Sequence, residues 1–296
     1  MQMSKAGIGS LGNYFSGNTS TFESRADGGP KLGRLPAKSD PRALMFARFA
    51  VEPKVLPKAT NFWPKRSAFP IRSFGNRRYG CCTRAKQAIA AMRMERLETR
   101  RTPQITDEEV IRVYTEMSDR LYGGGDNGAY ETDALSEWRR PELTFKDTKG
   151  RPLTIDAFLR INAADHQELK SALATAKAHG IEICLNLPRA FETILPPLPW
   201  DIPDGQPLIG SWQAGTWGGH SMHARDYDKF GMWLNHTWDI PDQRISWKAL
   251  AAYCDEAHFV IDSFNFWRAK KAAAAKLIDF AGIKKAVNKL SSQKIA

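Results

Sequence analysis

The apolar pattern changes character midway along the chain. Over residues 83–97, Ala85, Ile89, Met92 and Leu97 recur close to helical spacing and predict a helix. Thr106-Asp107-Glu108-Glu109 has the form of a capping box, opening a second helix through Val110, Val113, Tyr114 and Met117. The glycine-rich loop Gly123-Gly124-Gly125-Asp126-Asn127-Gly128 ends it, and a short third helix is predicted over 131–139. Strand-like runs then appear at 153–155 and 181–187, with a helix over 165–178 between them and Gly180 as its stop. Trp217 to Ala224 reads as a turn entering a strand, Tyr227 to Gly231 as a hairpin turn, and Met232 to Trp238 as the returning strand. A helix over 246–253 and a strand over 258–261 complete the body. A helical half followed by a sheet half predicts an α+β fold of two lobes with a cleft between them.

The ends differ from this body. Residues 1 to about 40 are rich in Gly, Ser, Lys and Arg and read as a flexible arm. Short apolar groups broken by prolines over 32–51 predict an extended strap. The expected division is an arm and strap over 1–59, one domain over 60–265, and a basic amphipathic helical tail over 266–296. In that tail, lysines alternate with Leu277, Ile278, Phe280, Ile283 and Val287. With 43 basic and 32 acidic residues the net charge is +11, which points to an anionic partner or surface for the tail. No specific nucleic-acid motif accompanies the charge. No secretory h-region and no apolar run of membrane-spanning length is expected.

Candidate chemistry centres on Cys82. It stands at the predicted start of a helix, where partial positive charge and unpaired N–H groups favour a thiolate. Asn76, six residues earlier, offers a side-chain amide for an oxyanion. His220 follows a Gly218-Gly219 pair that leaves room for a substrate backbone, and a hairpin would bring Asn235 beside it to orient the ring. Taken singly, these residues have plain structural readings: Cys82 as a core thiol, Asn127-Gly128 as a turn, Asn235 as a strand-end cap. Cys81 competes with Cys82, and His223 and His236 with His220. No metal-ligand spacing and no phosphate loop is present, so no metal and no cofactor is expected.

In this order, Asn76, Cys82, Gly219-His220 and Asn235 resemble the papain family of cysteine peptidases, over roughly residues 60–264. Asp126-Asn127-Gly128-Ala129-Tyr130 is similar to that family's Asn-Gly-Gly-Tyr substrate-cleft segment, and Asn61-Phe62-Trp63 to its Asp-Trp near the start. Asn76 stands where the family has glutamine. The tryptophan after the nucleophile is missing, and the usual Asn-Ser-Trp becomes Asn235-His236-Thr237-Trp238, with the aromatic displaced. The resemblance implies a two-lobe fold and a Cys82–His220–Asn235 constellation with Asn76 at the oxyanion. It further implies that Asn127, Gly128, Ala129 and Gly219 hold a peptide or protein substrate. Secreted members use several disulfides, which four cysteines with an adjacent pair do not build, so a reducing, cytoplasmic compartment is expected. Disulfide-free relatives in bacteria and phages make a virion-associated role one expectation. The function expected is therefore a peptidase or amidase-type hydrolase. The alternative is a catalytically silent scaffold of the same fold that binds a protein partner or an anionic surface.

Overall fold

The helix carrying Cys82, α1 (Cys82–Thr99), is buried on nearly every side. It ends where Arg100 turns left-handed, at φ 60°. The computed structural model describes residues 31–51, 55–61, 72–176, 179–262 and 278–292. Phe62 and Trp63, the arm before residue 31 and the tail over 266–277 lie outside the described residues.

One apolar cluster forms where α1 meets α2 (Asp107–Tyr122) and α3 (Glu131–Trp138), around Ile89, Met92, Tyr114, Leu135 and Trp138. The predicted capping box is present in part: Thr106 Oγ1 accepts from the Glu109 N–H at 3.1 Å. The second cluster covers a sheet of six strands: β1 (Ala157–Ile161), β2 (Ile181–Leu187), β3 (Gly218–Tyr227), β4 (Gly231–Asn235), β5 (Gln243–Ser246) and β6 (Cys254–Ile261). Their order is β1-β6-β2-β3-β4-β5, and every pairing is antiparallel. Helices α4 (His166–Ala176) and α5 (Trp247–Tyr253) pack on the sheet, and α6 (Phe280–Ser292) adds Ile283 to its core.

The expected strand at 153–155 does not form. The Leu153 and Ile155 N–H groups bond back to Phe145 and Trp138 in the helical lobe, so sheet pairing starts at Ala157.

Val260 of β6 and Phe158 of β1 pack on the helical-lobe cluster, but beside α1 the contact between the lobes is polar. Lys86, fully buried on α1, pairs with Glu131 at 2.7 Å and with Glu182 of β2 at 2.8 Å. Glu182 also holds His223 Nδ1 at 3.0 Å, and the Ser221 hydroxyl donates to Glu131 at 3.0 Å. Two carboxylates around one ammonium compensate each other's burial, whereas any one alone would be strongly destabilising.

The segment from Lys31 onward runs along this seam and then round the sheet lobe. Leu44 accepts from the Arg160 N–H at 2.7 Å, Phe46 enters the sheet-lobe core, and Phe49 accepts from the Asp279 N–H at 2.7 Å. It is a strap of mostly extended backbone, interrupted by a 3-10 turn at Phe46–Arg48 and anchored at both lobes.

Candidate active site between the lobes

The turn before Cys82 is set by left-handed backbone at Phe74 and Gly75, with φ of 50° and 81°. Gly80 N–H donates to Asp126 Oδ1 at 2.7 Å, and the Tyr114 hydroxyl donates to the same oxygen at 2.8 Å. Gly128 N–H donates in turn to the Tyr114 hydroxyl at 3.0 Å. This triangle ties the turn preceding the cysteines to the Gly128 loop.

The two cysteines part company here. Cys81 caps α1, joins the helical-lobe cluster, and turns its thiol to the Phe74 carbonyl at 3.7 Å. Cys82 belongs to neither cluster; backbone groups of Ser221 and Gly33 hydrogen-bond its sulfur. Burial pushes the Cys82 thiol up to about 11, against the pull of those two bonds.

His220 lies on β3 opposite Leu185, one residue before Ser221. Its ring stacks on Trp238 at 4.2 Å, and among the described residues neither ring nitrogen has a hydrogen-bond partner. Burial, with smaller contributions from His236 and Lys86, holds its pKa well below the ordinary value, so the imidazole is neutral.

The expected pairing of His220 with Asn235 does not occur. A bulge between Ala224 and Asp226 sets the β3–β4 register so that Asn235 faces His223. Its side chain accepts from Arg93 at 2.9 Å and donates to Asp242. His236, which the sequence offers only as a competitor of His220, shares the Trp238 ring with it instead. It stacks on Trp238 at 4.8 Å and meets Trp200 edge-on, and burial lowers its pKa to about 3. The displaced tryptophan was the available signal, because the residue two before Trp238 is His236.

Asn76 is a brace in this structure. Its Oδ1 accepts from Thr237 Oγ1 at 2.6 Å, and its Nδ2 donates to the Tyr79 carbonyl at 2.9 Å. Asn127 sits in the turn, with Nδ2 donating to the Gly124 carbonyl at 3.4 Å. Gly128, Ala129 and Gly219 line the path of the strap. Ala129 N–H donates to the Gly33 carbonyl at 2.7 Å, and Leu35 N–H donates to the Ala129 carbonyl at 2.9 Å. Gly33 and Arg34 N–H groups donate to the Gly219 carbonyl at 3.2 and 3.0 Å. A Cβ on Gly128 would stand 2.2 Å from the Gly33 carbonyl oxygen, and one on Gly219 would stand 2.1 Å from that of Arg34. Only glycine admits a second backbone so closely.

No family model and no curated protein matches the chain. Solved structures do. Xylellain, a cysteine protease from Xylella fastidiosa, superposes with a TM-score of 0.60 at 16% identity, over 79% of this chain and 96% of that one. The Carica candamarcensis cysteine protease CMS1MS2 gives 0.50 at 14% identity, over 70% and 99%. The ragweed pollen cysteine protease Amb a 11, in its proform, gives 0.52 at 13% identity, over 76% and 72%. The chain therefore has the two-lobe α+β fold of papain-like cysteine proteases.

Proposed function

We propose that this chain is a papain-like cysteine peptidase, held latent by its own strap. One observation carries the reading. Cys82 lies at a helix N-terminus against the residue that follows His220, at the place where an extended segment pairs with Ala129 and Gly219. The likeness in fold to the cysteine proteases supports it.

In this reading His220, neutral and with free nitrogens, takes the Cys82 proton. The thiolate attacks the peptide carbonyl. Unpaired N–H groups at the start of α1 hold the oxyanion, and the second amide hydrogen of Asn76 is available to join them. His220 then protonates the leaving amine, and water releases the acyl group. Asn235 has no part in orienting His220, being held by Arg93 and Asp242. His220 and His236 both stack on the Trp238 ring.

The test is release of aminocoumarin from peptide amides by the full chain and by Gly33→Ala, which unseats the strap. Turnover by Gly33→Ala that disappears in Cys82→Ser and in His220→Ala is expected. Turnover no greater than that of the Cys82→Ser chain would return the protein to the scaffold reading.

A further inference from the structure

Arg34 is unlike the rest of the strap. The other contacts of Gly33 to Leu35 in the cleft are backbone hydrogen bonds, which any extended peptide makes. Arg34 instead sends a fully buried guanidinium into the sheet lobe. Its Nη1 donates to Asn186 Oδ1 at 3.1 Å and pairs with Asp255 Oδ1 at 2.8 Å. Its Nη2 donates to Asp255 Oδ2 at 2.9 Å and to Glu256 Oε2 at 3.2 Å. Asn186 Nδ2 also donates to Asp255 Oδ2 at 2.9 Å, fixing that carboxylate in place. A planar fork meets a carboxylate fork, a geometry suited to arginine and not to the point charge of lysine.

The pocket belongs to the sheet and not to the strap. In a regular strand, neighbours 255 and 256 would face opposite sides. The β2–β6 register shifts here: Cys184 faces Glu256 and Leu185 faces Cys254, leaving Asp255 as the extra residue. That irregularity lets both acids reach one cation. With the strap withdrawn, two carboxylates would remain without their guanidinium, one of them almost fully buried. A site in that condition discriminates strongly between an entering cation and an apolar side chain.

We propose that this pocket is the specificity site of the cleft, and that it selects an arginine side chain on the peptide that takes the strap's place. The proposal rests on the reading of the cleft as a peptide-binding site.

The probe is a fluorescein-labelled peptide, Lys-Leu-Gly-Arg-Leu-Pro-Ala-Lys, copied from residues 31–38, with a twin carrying leucine for arginine. Binding is read by anisotropy to the full-length chain in the Cys82→Ser background, so no probe is cleaved. Two strap variants, Arg34→Ala and Gly33→Ala, open the cleft by different routes. At least tenfold tighter binding of the arginine peptide is expected in both, with the preference lost on adding Asp255→Asn and Glu256→Gln. Equal binding of the twins, or no binding of either by folded variants, overturns the proposal. Loss of the folded state in both variants would make Arg34 a structural anchor and overturn it equally. Hydrolysis separates the two readings. Arginine-selective binding without turnover, once Cys82 is restored, sinks the peptidase and leaves the pocket. Turnover indifferent to arginine does the reverse.

Discussion

Replacing Gly33 with alanine should expose Cys82. An alanine Cβ there would sit 1.8 Å from the Gly80 carbonyl oxygen, 2.2 Å from its carbon and 2.4 Å from its Cα. All three are backbone atoms in the turn before the cysteines, so no rotamer change relieves the overlap. The strap must move away, and its four backbone hydrogen bonds to Ala129 and Gly219 go with it. At about 1 kcal/mol each, they contribute roughly 4 kcal/mol to holding the segment. Gly33 also covers the Cys82 thiol, whose burial lifts its pKa from 9.0 to about 11. Because only the thiolate alkylates, a rise of that size suppresses it about 100-fold at neutral pH. The assay is iodoacetamide labelling between pH 6 and 10 with peptide mapping. Wild-type Cys82 should label slowly, its rate still climbing tenfold per pH unit at the top of this range. Gly33→Ala should label on the order of 100 times faster at pH 7, and adding His220→Ala should slow it again. Rapid wild-type labelling at pH 7, or no acceleration in Gly33→Ala, would refute strap shielding.

Three further outcomes follow from the geometry. Asn235→Ala should cost about 1–3 kcal/mol in urea unfolding through its lost bond with buried Arg93, while Cys82 labelling in the Gly33→Ala background stays unchanged; slower labelling would restore Asn235 to the site. Burial alone would raise the Glu182 pKa, but Lys86 and His223 outweigh it and hold it at about 2 against 4.5 unfolded, so this carboxylate's stabilisation is present above pH 4.5 and lost as pH falls towards 2. The loss should be about 3 kcal/mol and absent in Glu182→Gln, measured as the difference in acid unfolding between the two chains; parallel acid profiles would count against the buried triad. Burial, helped by Glu131 and opposed by Arg34, raises Glu256 to about 7; Arg34→Ala removes that opposition and lifts the empty carboxylate further, so arginine-peptide binding to this variant should tighten as pH rises above neutrality and the carboxylate ionises. A flat anisotropy profile from pH 6 to 9 would remove Glu256 from the pocket.

Much of the local structure is legible in the sequence, because its causes are local. Thr106 and Glu109 mark the start of α2, Gly180 with φ 74° closes the approach to β2, and Ser246 caps α5 through the Ala249 N–H. Cys82 at a helix start and the hairpin after His220 belong to the same class, since short-range spacing and turn chemistry decide them. Register did not follow from the sequence. The bulge between Ala224 and Asp226 turns Asn235 to His223 and leaves His236 beside the Trp238 ring, and a single added residue of that kind has no composition signal. The buried charges were equally hidden. Lys86 reads as an ordinary solvated lysine until Glu131, 45 residues away along the chain, and Glu182 of β2 close round it. Arg34 reads as part of a loose basic arm until the β6 bulge aims Asp255 and Glu256 at it. What the sequence determined by itself were elements whose hydrogen bonds close within a few residues. What tertiary structure alone decided were the partners of buried polar groups, because such a group is tolerated only where distant segments meet to satisfy it.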